Sequence, residues 1–365
     1  MENKPKAPLY NCVVVKVGTN VLTRADGLPD MTAISSLVDQ IAQLKRLGLS
    51  VVLVSSGAVG AGRSLLPMGE QTNKVVRRQV LSAIGQVRLM EIYRQLFLNY
   101  GLFCAQVLAT KEDFRDRRHY LNMKNCFQAL IRDQVVPVVN ENDVISVTEL
   151  MFTDNDELAG LVAAMINAEA LIILSSVDGV MDGSPDDPNS RLIPEIDPAD
   201  PQWEQYILPS RSSFGRGGMH TKFRIAGKAA GVGIATYIAN GRRPDILTDL
   251  IHGKPVGTLF QPKVKVSGFK KWIAYNESAH KGTVRINAGA EEALRSPERV
   301  TSLLPVGIEE VSGSFEKGDI IHILNEQEQV IGWGIAQYGA DKVRQYMGAQ
   351  GKKALVHYDY LFVEG

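Results

Sequence analysis

Lys16 closes a run of apolar residues, Val13-Val14-Val15-Lys16-Val17, and is followed at once by Gly18 and Thr19. An ammonium at the end of a buried strand needs an anion, and in open α/β sheets ligands bind outside the carboxyl ends of the strands. Gly18 would let backbone approach such a ligand. Taken alone, the same lysine on an edge strand would simply be solvated. A second run, Val51 to Val54, ends in Ser55-Ser56-Gly57-Ala58-Val59-Gly60-Ala61-Gly62, small residues that bare backbone N–H groups at a helix start, where phosphate or carboxylate is favoured. This spacing is neither the dinucleotide fingerprint nor a Walker loop, and it also suits a tight turn with close packing. A third segment carries Gly215, Arg216, Gly217, Gly218 and Met219 ahead of Thr221 and Lys222. Its glycines expose amides, the helix start adds its dipole, and Arg216 and Lys222 bring full charge to where a transferring phosphoryl group would lie. The competing reading is a mobile linker before an amphipathic helix.

Polar recognition is concentrated in a fourth cluster. Val135 to Val139 ends in Asn140-Glu141-Asn142-Asp143, and Phe152-Thr153-Asp154-Asn155-Asp156-Glu157 opens the next helix. Amides and carboxylates together suit an amino acid: Asp143 for an α-ammonium, Asn155 as donor to a carboxylate, Asp156 to pair with and orient the two lysines. Asp154 and Asp156 also fit ordinary helix capping.

The elements that must hold these groups alternate. Val13–Val17, Val51–Val54, Cys104–Leu108, Val135–Val139, Ala170–Leu174 and Ala235–Ile238 are near-continuously apolar, as strands covered on both faces are. Between them Ile34, Leu37, Val38, Ile41, Leu44 and Leu47 fall on one helical stripe, and 77–99 and 120–132 show similar spacing. The pattern predicts an α/β fold with a mostly parallel sheet. After about Gln261 the texture changes to short strand candidates at 282–287, 308–311, 319–324, 330–336 and 361–363, with brief helices at 290–295 and 340–347. A small β-rich second domain is expected, with the boundary within 263–281; the domains are taken as 1–265 and 278–365.

Bulk properties narrow the function classes. At 365 residues and 45% hydrophobic content the chain suits two domains, and 40 basic against 40 acidic residues leave no net charge to draw it onto nucleic acid or an anionic membrane. Any anion site must be local. Cys12, Cys104 and Cys126 lie in apolar segments and read as reduced core thiols rather than a disulfide frame or a zinc site. No signal-like stretch opens the chain and no uncharged apolar run reaches membrane-spanning length, so the cytoplasm is the expected compartment.

Val14-Val15-Lys16-Val17-Gly18-Thr19, Val54-Ser55-Ser56-Gly57-Ala58, Val138-Val139-Asn140-Glu141-Asn142-Asp143, Asp154-Asn155-Asp156 and Gly217-Gly218-Met219-His220-Thr221-Lys222 together resemble the amino-acid kinase fold, and more narrowly the glutamate 5-kinase family. Gly282-Thr283-Val284, 302–308 and Phe315-Glu316-Lys317-Gly318-Asp319 resemble the PUA domain that many members append. The resemblance implies a three-layer αβα sandwich plus a β-rich PUA domain, and an enzyme that uses ATP and Mg²⁺ to make γ-glutamyl phosphate from L-glutamate, the first committed step toward proline. It assigns Lys16 and Lys222 to the ATP phosphates and Asp156 to organising them. Ser56, Asp143 and Asn155, with Asn140 beside them, match glutamate-binding positions; Gly18, Thr19, Ser175, Ser176 and 215–222 match the nucleotide side. It further implies feedback inhibition by proline, with 111–120 as a lid, a homo-oligomer and contact with glutamyl phosphate reductase.

One segment departs from the family pattern. Where Thr-Asp and, two residues on, Gly-Leu-Tyr usually stand near adenine and ribose, this chain has Ser175-Ser176-Val177-Asp178-Gly179-Val180-Met181. Other carboxylate or carbamate kinases of the fold are the nearest rivals, and the second domain argues against them. An RNA-binding role is the rival of another class; nine basic against twelve acidic residues in 281–365 argue against it.

Overall fold

The computed structural model describes residues 7–66, 73–145, 152, 154–183, 189–198, 200, 218–262, 280–296 and 301–363. The chain divides into two compact units, 1–265 and 266–365.

In the first unit the elements run β1 (Cys12–Val17), α1 (Thr19–Leu22), α2 (Met31–Arg46), β2 (Ser50–Ser55), α3 (Ala58–Leu65), α4 (Lys74–Leu98) and β3 (Cys104–Ala109). They continue through α5 (Lys111–Arg115), α6 (Arg117–Arg132), β4 (Val136–Glu141), α7 (Asn155–Met165), β5 (Ala170–Ser175), β6 (Glu195–Ile196), α8 (Met219–Gly231), β7 (Ala235–Asn240), α9 (Ile246–Ile251) and β8 (Thr258–Phe260). All six apolar runs of the sequence are strands, and the sheet order is β3-β4-β2-β1-β5-β7-β8-β6. Pairing is parallel except where β8 meets β7. The expected mostly parallel sheet is therefore present, with one antiparallel pairing at β7–β8. The strands β6 and β8 escaped the sequence reading because two and three residues are too short to show a period.

Register decides where the chemistry gathers. Val17 lies opposite Ser55 of β2 and Leu174 of β5, while Val54 lies opposite Val139 of β4. The carboxyl ends of these four strands are thus level, and Gly18 and Ser56, just past β1 and β2, come out beside Glu141 and Ser175, the last residues of β4 and β5. Val13, Val15, Val17, Leu53, Val138 and Ile172 are buried beneath this end against the α2 stripe of Ile34, Leu37, Val38, Ile41 and Leu44. Leu47, expected on that stripe, is instead exposed, because α2 stops at Arg46 and the chain reverses through Gly48 at φ +87°.

One other expectation needs correction. The cysteines are free but are not core thiols: Cys12 and Cys104 are half-buried and Cys126 is exposed. The charged stretch 111–120, the expected lid, is helical. It forms α5 and the first turn of α6, pinned by buried Phe114 and Tyr120 and by an ion pair of Lys111 to Glu157 at 2.7 Å.

The second unit holds β9 (Gly282–Ile286), α10 (Ala288–Arg295), β10 (Ile308–Gly313), β11 (Ile320–Leu324), β12 (Val330–Ile335), α11 (Ala340–Tyr346) and β13 (Leu361–Val363). Its sheet runs β10-β9-β11-β12-β13 around a separate core that includes Val284, Ile286, Ile321, Ile323, Phe315 and Leu355. Among the described residues no helix is long and apolar enough to cross a membrane.

Candidate active site

Lys16, on the central strand β1, is almost fully buried, and its Nζ lies 2.6 Å from Asp156 Oδ1. Lys222, in the first turns of α8, is also buried, and its Nζ donates to Asp156 Oδ2 at 2.9 Å. One fully buried carboxylate thus carries an ammonium on each oxygen, although the three residues are more than sixty positions apart in sequence. Burial alone would push the Asp156 carboxyl upward, but the two ammoniums outweigh it and hold the group below its ordinary value.

The helix starts that frame this cluster are of two kinds. Asp154 caps α7, its Oδ1 accepting from the N–H groups of Asp156 at 2.8 Å and Glu157 at 3.2 Å. Its Oδ2 is buried with no hydrogen-bond partner. Burial raises the Asp154 carboxyl, the neighbouring Asp156 charge adds to this, and the lysines only partly oppose it. By contrast, α8 starts at Gly218 with no side-chain cap, which leaves the first-turn N–H groups of Met219, His220 and Thr221 directed toward an outside acceptor. Gly215, Arg216 and Gly217 lie outside the described residues.

A cleft of about 910 Å³ opens beside the cluster. Thr19, Ser56, Asn140, Asp143, Asp154 and Asn155 line it, whereas Lys16, Lys222, Ser175 and Ser176 do not. Asn155 Nδ2 donates to Ser56 Oγ and Asn140 Oδ1, both at 3.0 Å, so α7, β2 and β4 are tied together by one amide. Asn140 Nδ2 in turn donates to Gln86 Oε1 at 3.0 Å. Asp143 accepts from Arg78 Nε and Nη2 at 3.1 and 2.7 Å and from Ser82 Oγ at 2.9 Å. Ser175 ends β5 and Ser176 follows it at the same end of the sheet, where Gly241 N–H donates to the Ser175 carbonyl and Asn240 Nδ2 reaches Asp178 Oδ1. Among the described side chains of 111–120, none lines the cleft.

Sequence reading missed the contribution of α4. Arg78, Ser82 and Gln86 are spaced by four, so they form one polar stripe on that helix, and every one of them bonds to the Asn140–Asp143 segment. The stripe was visible as a spacing but hidden inside a segment read for its apolar period. The Gly57-x-x-Gly60-x-Gly62 run also divides its duties. Gly57 turns the chain at φ +104°, whereas a Cβ on Gly62 would stand 2.0 Å from the Leu81 carbonyl oxygen. Gly85 on α4 is tighter still, with 1.8 Å to the Ala58 carbonyl oxygen. Close packing of α3 on α4, rather than anion binding, explains Gly62, and it is what brings the polar stripe to the cleft.

The cleft is rich in cations. Arg24, Arg63, Lys74, Arg77, Arg78 and Arg242 line it, against Glu141, Asp143 and Asp154. Arg242 is spent on structure, its Nη2 donating to the carbonyls of Asn20 and Thr23 at 2.9 and 2.8 Å and so fixing α1 behind Gly18.

Comparison with known proteins shows the family of each unit. The model of the amino acid kinase family matches residues 11–240, and that of the PUA domain matches 282–357. The chain is 49% identical to a glutamate 5-kinase of Chlorobaculum tepidum over 98% of each chain. It is 50% identical to one of Bacteroides thetaiotaomicron, covering 97% of this chain and 99% of the relative. A glutamate 5-kinase of Thermotoga maritima is 36% identical over 96% of this chain and 99% of its own. Among solved structures, carbamate kinase from Giardia lamblia bound to AMP-PNP superposes with a TM-score of 0.52 at 19% identity, covering 70% of this chain and 99% of that one. UMP kinase from Bacillus anthracis gives 0.50 at 13% identity, covering 70% and 98%. At such identities these two show the fold.

Proposed function

Because the chain belongs to the glutamate 5-kinase branch of the amino acid kinase family, with a PUA domain in its second unit, we infer that the Lys16–Asp156–Lys222 cluster is where ATP meets the γ-carboxylate of L-glutamate. The enzyme is an ATP-dependent kinase that forms γ-glutamyl phosphate and ADP at the entry to proline biosynthesis. The observation that carries the site assignment is the single buried carboxylate holding two ammoniums, one per oxygen.

The chemistry asks for little more. A glutamate side chain has a pKa of about 4.3 and is already a nucleophilic anion at neutral pH, so no general base is needed. Two anions brought within about 4 Å repel by about 1 kcal/mol in water and several-fold more in a dry cleft. Lys16 and Lys222 neutralise that repulsion, with Lys222 following the charge of the transferred group. Asp156 holds both ammoniums in register while phosphate is absent. The uncapped start of α8, with Gly218, Met219 and Thr221, receives phosphate oxygens, as do Gly18 and Thr19 after β1. Gly215, Arg216 and Gly217 are assigned to the same loop on sequence alone. Ser56, Asn140, Asp143 and Asn155 position the amino acid, and Ser175 and Ser176 adjoin the nucleoside.

Mg²⁺ fits this donor set. Mg²⁺ usually keeps several waters and substrate phosphates among its ligands and asks for only one or two protein carboxylates. The unpartnered Asp154 Oδ2 is the protein oxygen available to it. Bound there, the ion would neutralise phosphate charge. The first unit acts as the catalytic domain and residues 278–365 as an appended PUA domain. Proline inhibition at the glutamate site, assembly into a homo-oligomer, contact with glutamyl phosphate reductase and a cytoplasmic location complete the proposal. The absence of net charge in the chain supports a function independent of nucleic acid.

The test is ADP release with hydroxylamine trapping across glutamate, aspartate, N-acetylglutamate and carbamate. Hydroxamate formed with glutamate alone is the expected result. Preference for any other acceptor would overturn the substrate assignment.

A further inference from the structure

Asp143 was expected to take the α-ammonium of the substrate, yet it already holds a partner. Arg78 turns its Nε and Nη2 edge to a single oxygen, Asp143 Oδ1, and Ser82 Oγ occupies Oδ2. A carboxylate offers about four acceptor positions, so three donors leave one free, on Oδ2. On the other side of the pair, a guanidinium has a second bidentate edge, formed by Nη1 and Nη2. Among the described residues, Nη1 of Arg78 meets no hydrogen-bond partner, and Nη2 comes no nearer than 3.8 Å to Glu141 Oε2. Arg78 lines the cleft with its side chain 31% accessible, while Asp143 is 7% accessible.

Resting on the glutamate-kinase reading, we propose that Arg78 and Asp143 form a zwitterion clamp, in which the free edge of Arg78 grips the substrate α-carboxylate while Asp143 Oδ2 accepts from the α-ammonium. A free amino acid presents these two groups on one carbon, side by side and of opposite sign. The Arg78–Asp143 pair presents the complementary signs side by side. The clamp makes Arg78 a determinant of specificity for a free α-amino acid over an acceptor that has only a side-chain carboxylate. Ser82 and Gln86, one and two turns further along α4, fix Asp143 and Asn140, so the clamp and the Asn155 amide are set by the same helix face. The three unpaired cations on the cleft wall, Arg63, Lys74 and Arg77, add attraction for carboxylate but carry no matching acid among the described residues.

The experiment pairs substrate truncation with mutation. 4-Aminobutyrate keeps the amine and the reactive carboxylate of glutamate but lacks the α-carboxylate. Wild-type enzyme should discriminate against it roughly 10- to 100-fold in kcat/KM, the range for loss of a charged hydrogen-bonding contact. In Arg78→Met that ratio should collapse toward unity, with KM for glutamate raised and KM for ATP unchanged. Arg78→Lys, which keeps charge but loses the bidentate edge, should fall between and covers the case in which the methionine variant does not fold. Because each ratio is taken within one protein, a general loss of stability cancels. A wild-type enzyme that uses 4-aminobutyrate as well as glutamate, or an Arg78→Lys ratio equal to wild type, would overturn the clamp. Failure of the wild type to phosphorylate glutamate at all would instead overturn the functional reading beneath it.

Discussion

Asp156→Asn separates structure from catalysis in a measurable way. The substitution keeps the shape of the side chain but leaves the ammoniums of Lys16 and Lys222 without their directly paired carboxylate in a site where Asp156 is 0% exposed, Lys16 3% and Lys222 8%. Removing one partner of a buried ion pair typically costs about 3–5 kcal/mol, because the remaining charge stays desolvated. For a unit of this size each kcal/mol moves the melting temperature by roughly 2–4 °C, so a fall of roughly 6–20 °C is expected without ligand. Saturating ATP analogue should narrow the gap to wild type, since phosphate oxygens then supply the missing negative charge to both lysines. Turnover should still fall, because nothing holds the two ammoniums in register as charge moves between acceptor and donor. Calorimetry with and without the analogue, together with hydroxamate kinetics, reads all three. A variant that melts within 2 °C of wild type, with the same increment on adding nucleotide, would refute the view that Asp156 is the carboxylate that balances the two buried ammoniums.

Further outcomes follow from single contacts. Gly85→Ala places a Cβ 1.8 Å from the Ala58 carbonyl oxygen and must push α3 from α4, so it should lower the melting temperature and weaken glutamate binding more than ATP binding. Asn155→Ala removes the amide that joins Ser56 to Asn140 and should raise KM for glutamate, measured at fixed saturating ATP, with little change in melting temperature. In a thiol titration at neutral pH, exposed Cys126 should react first and without loss of activity. Cys12, whose thiol burial pushes up to about 11, should stay unreactive until the pH approaches that value.

Much of the fold was legible because parallel strands buried on both faces are nearly continuous apolar runs, and Val13–Val17 or Ala170–Leu174 can hardly be anything else. The level strand ends followed from that topology, and with them the gathering of Gly18, Ser56, Glu141 and Ser175 at one end of the sheet. The meeting of Lys16 with Lys222 could be anticipated only through the acid between them: without Asp156, two buried ammoniums would repel. What stayed hidden depends on three-dimensional approach. The stripe of Arg78, Ser82 and Gln86 reads as a solvated helix face until α4 is packed on α3 through Gly62 and Gly85. Likewise, Arg242 is merely a charge after β7 until it is seen to bind two carbonyls of the α1 segment. The anchoring of the charge run at 111–120 by Phe114 was hidden too, because composition alone cannot weigh one buried ring against seven charges.

The most direct measurement is the steady-state comparison of Lys222→Ala with wild type, scored as hydroxamate formed from glutamate and ATP. If Lys222 stabilises the transferring phosphoryl group, kcat should drop by roughly 100- to 1,000-fold, the usual effect of deleting one charge-stabilising donor, while KM for glutamate stays within a few-fold. A folded variant with wild-type turnover, or one whose whole defect lies in KM, would contradict the account.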